Sequence, residues 1–65
     1  MLVKIAEYVA SSEESWEKAI KEGLEKILEK FKNVRGIDVL GMKAVVREGK
    51  ITEFRVNFKV SYIED

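Results

Sequence analysis

"EGKITEFRVNFKVSY", residues 48–62, decides the fold. From Thr52 onward its side chains alternate without a break. Thr52, Phe54, Val56, Phe58, Val60 and Tyr62 fall on one side, and Glu53, Arg55, Asn57, Lys59 and Ser61 on the other. A strict period of two is the signature of a strand with one apolar and one polar face. Phe54, Val56, Phe58 and Val60 therefore need an apolar partner to cover them.

The chain supplies one upstream. Trp16, Ile20, Leu24, Ile27 and Phe31 recur at spacings of three and four, with Ala19, Gly23 and Leu28 widening the stripe, which predicts an amphipathic helix over about 12–33. Ser11 followed by Glu14 has capping-box spacing, and Glu13, Glu14 and Glu17 suit the positive end of the helix dipole. Lys30, Lys32 and Arg35 suit its other end. Gly23, on or beside the stripe, costs the helix about 1 kcal/mol against Ala, and a close backbone approach would explain it. Gly36 reads locally as the residue that stops the helix, since left-handed geometry is cheap for Gly.

Two more strands complete the pattern. Residues 2–9, "LVKIAEYV", place Val3, Ile5 and Val9 on one side and Lys4, Ala6 and Tyr8 on the other. A strand over about 36–47 precedes "REGK" and the final strand over about 50–63. If Gly49 occupies the left-handed position of a three-residue loop, Leu40, Met42, Ala44 and Val46 share the apolar face. A two-residue loop would put Ile37, Val39 and Val45 there instead. The first register gives the more continuous apolar face and is preferred. Either way, residues 37–42 are apolar on both sides, and one helix leaves one of those sides uncovered. The expected fold is α+β, in the order β-α-β-β, with a three-stranded antiparallel sheet curved around one helix as a single domain over 1–65.

Composition narrows the function. Sixty-five residues with neither Cys nor His have no disulfide and no ordinary Cys/His zinc site to support a small core. Self-association is the remaining common remedy. Twelve basic residues balance twelve acidic ones and are interspersed with them, which argues against nucleic-acid binding. No apolar run approaches the ~20 residues of a membrane span, and the first residues read as a strand rather than a leader, so a cytoplasmic protein is expected. There is no nucleophile–base pair and no phosphate loop, so an enzyme is not expected. Trp16 reads as core. Arg55 brings a planar donor to a mixed strand face, where it either meets a ligand or pairs with Glu53 or Asp38.

The segments "VKIAEYVASSEESWEKAI", "NVRGIDVLGM" and "EGKITEFRVNFKVSY", in this order and length, resemble the dodecin family over essentially the whole chain. The resemblance implies a small non-enzymatic subunit that assembles as a hollow homododecamer. Many dodecins store or buffer flavins such as riboflavin or FMN, as stacked pairs at subunit interfaces. In flavin-binding members, a Trp at the start of the second strand stacks on the ring and a Gln on the third strand bonds its polar edge. By that resemblance these places fall at Gly36 and Arg55. Gly has no ring to stack, and Arg has donors only. The alternative is a structural shell without flavin, or one that holds calcium through Glu7, Asp38 and Glu53 if neighbouring subunits gather them, since calcium takes about 6–8 oxygens.

Overall fold

A computed structural model describes residues 1–64. Its elements run β1 (Leu2–Ser12), α1 (Trp16–Lys30), β2 (Val34–Arg47) and β3 (Lys50–Glu64). The sheet is antiparallel with β3 in the middle, in the order β1-β3-β2. The alternating strand thus takes the central place, hydrogen-bonded on both sides. Val56, Phe58 and Val60 are fully buried there, and Ala19 and Ile27 are the buried residues of the helix. The helix packs over β1 and β3 rather than over β2.

The helix is shorter at both ends than the sequence pattern predicts. Ser11 and Ser12 do not open it, because they pair with Arg55 and Phe54 as the last residues of β1. Ser15 is the cap instead: its backbone is extended (φ −167°) and its Oγ accepts from the Lys18 N–H at 3.0 Å. Glu14 forms an ion pair with Lys18 one turn on. At the other end Phe31 is already extended, and its N–H donates to the Ile27 carbonyl. Asn33, at φ 58°, makes the left-handed turn that the sequence reading gave to Gly36. Asn tolerates that region better than most side chains. Gly36 lies within β2, opposite Ser61.

Gly23 has the expected purpose. A Cβ there would stand 2.9 Å from the Ala10 Cβ and 3.7 Å from Phe58 Cζ. The helix rests on the sheet at this point with no room for a methyl group. Around it, Trp16 meets Phe54 edge-on with ring centroids 4.9 Å apart, and its Nε1–H donates to the Lys43 carbonyl at 3.1 Å. Phe31 stacks on Tyr62 at 4.3 Å. Trp16 is a packing residue that also ties the start of the helix to β2.

The hairpin corrects the preferred register, and each alternative holds over part of β2. Arg47 pairs with Lys50, so the loop has two residues, Glu48 at φ 51° and Gly49 at φ 76°. Both angles are positive, as a type I′ turn requires. Thr52 is then extra between the pairs Val46–Ile51 and Val45–Glu53, a bulge that shifts the register by one. Ala44 and Met42 therefore oppose Phe54 and Val56. A second bulge at Leu40 shifts it back, so that Val39 and Ile37 oppose Phe58 and Val60. A third, at Arg35, brings Val34 opposite Tyr62. Residues directly opposite share a face, so all five stand on the helix side.

Gly23→Ala tests the close approach. Helix propensity alone would favour Ala by about 1 kcal/mol, but overpacking of this kind costs roughly 1–3 kcal/mol. The urea midpoint should fall for Gly23→Ala and recover in large part when Ala10→Gly is added. A raised midpoint for the single variant would refute the packing argument.

Candidate functional site

The sheet face away from the helix carries the candidate residues. Cross-strand pairing orders it in rows from β1 through β3 to β2: Ser11–Arg55–Lys43, Val9–Asn57–Gly41, Glu7–Lys59–Asp38 and Ile5–Ser61–Gly36. The bulge at Leu40 puts Gly36 on the same face as Arg55. Without it, the register preferred from sequence would have set them on opposite faces. They are nevertheless far apart within one chain. Gly36 pairs with Ser61, and six residue steps along the strand at ~3.3 Å each separate Ser61 from Arg55, about 20 Å.

Gly36 is open to a side chain. Its φ is not positive, and a Cβ would meet only the Ser61 Oγ, at 3.2 Å. That hydroxyl can rotate away, and at present it donates a long bond of 3.5 Å to the Gly36 carbonyl.

Arg55 takes the first of the partners considered for it. Its Nε donates to Glu53 Oε1 at 3.0 Å and its Nη2 to Oε2 at 3.3 Å. Glu53 is its partner because residues two apart on a strand share a face. Asp38 lies in a different row, opposite Lys59. The bond from Arg55 chiefly holds the Glu53 carboxyl below its usual range; a bond from Ser11 and the charges of Arg55 and Arg47 add to this, and desolvation opposes it. The Arg55 guanidinium is raised in turn, first by its hydrogen bond to Glu53. An open depression of about 390 Å³, lined by Ser11, Ser12, Glu13, Arg47, Thr52 and Glu53, adjoins the pair. Two rows in from Glu53, the Asn57 Oδ1 is enclosed and meets no donor among the described residues. Sequence reasoning passed over Asn57, whose only signal was its place on the polar side of β3.

The calcium candidates are not gathered by one chain. Glu7 and Asp38 flank Lys59 on the two outer strands, about 10 Å apart at ~4.8 Å per strand step, and Glu53 is three rows away. No group of three or more acidic, His or Cys side chains suited to a metal occurs among the described residues. Apolar surface is more conspicuous than charge. Val3, Ile5 and Val9 on the outer face of β1 are 58%, 65% and 66% exposed, and Met42 on the helix side of β2 is 62% exposed. A groove of about 550 Å³ runs between β1 and the helix, floored by Tyr8, Ala10, Gly23, Ile27 and Phe58. No helix among the described residues is long and apolar enough to cross a membrane.

The Arg55–Glu53 pair has a pH signature. A carboxyl whose pKa is lower in the folded state stabilises that state above its unfolded pKa, and loses the effect as pH falls through the folded one. A carbon-detected NMR titration of the Glu53 carboxyl should give a midpoint below the ordinary glutamate value. The midpoint should rise in Arg55→Ala. An unchanged midpoint would mean that the pair does not persist in solution.

Comparisons with known proteins agree with this architecture. Dodecin from Streptomyces davaonensis superposes with a TM-score of 0.91 at 22% identity, covering 98% of this chain and 94% of that one. Dodecin from Streptomyces coelicolor gives 0.91 at 14% identity, covering 98% and 93%. At such identities these two speak for the fold alone. A point variant of T. thermophilus dodecin gives 0.89 at 25% identity, covering 98% and 97%. No curated protein matches the sequence. A sequence model of the dodecin family, however, matches residues 2–64, and with the same β-α-β-β order and the same antiparallel sheet under one helix, the chain belongs to the dodecin family.

Proposed function

We propose that this protein is a non-enzymatic flavin-binding and buffering subunit that works as a homododecamer, with its ligand held where subunits meet. The observation that carries the reading is the apolar surface that one chain leaves bare. Among the described residues five side chains form the buried core, while Val3, Ile5, Val9, Met42, Val46 and Ile51 each remain more than half exposed. Burying such residues contributes about 1.5–3 kcal/mol each, and neighbouring copies are the cover that family membership supports. Gly36 and Arg55, about 20 Å apart in one chain by strand rise, would form one site only with Gly36 from one copy and Arg55 from another. FMN or riboflavin is the ligand, and the compartment is the cytoplasm.

The bare Gly36 favours a second reading, a shell that holds no flavin. The two readings part on one experiment, native mass spectrometry of the purified protein before and after addition of FMN or riboflavin. A twelve-subunit mass that gains flavin in discrete steps is the expected result. A twelve-subunit mass that stays bare would favour the empty shell, and a monomer would overturn both readings.

The glycine itself gives a second test. Gly36→Trp restores a ring at a position whose φ is not positive and where the added Cβ meets the Ser61 hydroxyl, at 3.2 Å. Aromatic contacts add about 0.5–1.5 kcal/mol beyond burial, so riboflavin affinity in a fluorescence titration should rise roughly two- to tenfold. No gain in a variant that still assembles would count against Gly36 as part of the ligand site.

A further inference from the structure

The outer sheet face offers a substitute for the ring that Gly36 lacks. The Arg55 guanidinium is held by two prongs, Nε to Glu53 Oε1 at 3.0 Å and Nη2 to Oε2 at 3.3 Å. A pairing of this kind brings guanidinium and carboxylate into one plane. The clamp is built into a single strand, since Glu53 and Arg55 are neighbours on one face of β3, so it forms without help from a second element. The Arg55 side chain stays 42% exposed. In the next row, Gly41 has no atom within 4 Å of where a Cβ would stand, leaving a bare shelf beside the clamped group.

An anion gains little from this arrangement. The charge of Arg55 is already balanced by Glu53, and its Nε and Nη2 are already engaged. A flat ring gains more, because a guanidinium fixed in orientation stacks on aromatic faces with little further ordering. We propose that Arg55, held flat by Glu53, is the stacking platform for an uncharged planar heteroaromatic ring, the tricyclic ring system of a flavin irrespective of any phosphate it carries. Glu53 is the positioning residue. This rests on the flavin-binding reading above and assigns Arg55 a role different from the edge-pairing Gln that the family resemblance places there.

The test uses the assembled protein with riboflavin and FMN as probes, followed by quenching of flavin fluorescence, and native mass spectrometry to verify assembly. Wild type should bind the two flavins with similar affinity. Arg55→Lys keeps the charge but loses the plane, and should weaken both roughly tenfold. Glu53→Ala removes both acceptors and frees the guanidinium, and should weaken riboflavin several-fold while shifting preference toward FMN. Unchanged riboflavin affinity in Arg55→Lys would overturn the platform and leave flavin binding intact. A wild-type preference for FMN that survives Arg55→Lys would also overturn it, by showing that a point charge suffices. If wild type binds neither flavin, the flavin reading itself fails and the platform fails with it.

Discussion

One helix cannot cover this sheet, and the rest of the structure follows from that mismatch. Fifteen helical residues span about 22 Å at ~1.5 Å per residue. The fifteen residues of β3 span about 50 Å at ~3.3 Å each, and the molecule's longest extent is 49 Å. Cover is therefore concentrated where the helix lies, over Val56, Phe58 and Val60, at the point where Gly23 lets it approach Ala10. Beside that stretch Met42, opposite Val56 on β2, is exposed, and beyond it the hairpin continues without a helix above it, leaving Val46 and Ile51 exposed. Lengthening the core by sequence change would require a longer helix. Covering it by association requires only another copy, and the apolar outer side of β1 extends the same need to the opposite face.

The parts of this fold that were legible in the sequence are those set by period. Strict alternation from Thr52 to Tyr62 placed β3, and three-and-four spacing from Trp16 to Phe31 placed the helix. Gly23 stood out because a helix interior disfavours it. The parts not legible were decided by contacts between distant residues. Ser11 has capping-box spacing, yet it pairs across the sheet with Arg55, and the ladder outweighs a cap that Ser15 can supply as well. Gly36 looked like a helix stop, yet Asn33 makes the turn three residues earlier. The registers of β2 differ by a single residue. The bulges at Thr52, Leu40 and Arg35 let the strand use one register and then the other, keeping Ala44, Met42, Val39, Ile37 and Val34 on the helix side. Bulges at Leu and Thr carry no compositional mark, so no local pattern could have located them.

The candidate site was legible to a different depth. Gly36 and Arg55 were placed by resemblance, and their common face follows only from the Leu40 bulge. The choice between Glu53 and Asp38 as partner for Arg55 depended on rows. Glu53 is close by strand period alone, whereas the place of Asp38 depends on the register of β2, which the sequence left open. The three carboxylates considered for calcium were separated by the same rows, with Lys59 standing between Glu7 and Asp38.

The Arg55–Glu53 pair also changes what assembly must accomplish. A ring at position 36 and an edge-pairing group at position 55, about 20 Å apart along one chain, can act on one ligand only if two subunits are placed accurately against each other. A guanidinium clamped by its own strand neighbour is oriented before any subunit meets another. If Arg55 is the stacking platform proposed above, the ligand is oriented by a contact within β3 and not by one between copies. On that reading, Gly36 is tolerable because Glu53 precedes Arg55 by two, the one spacing on a strand that keeps both groups on the same face and within bonding reach.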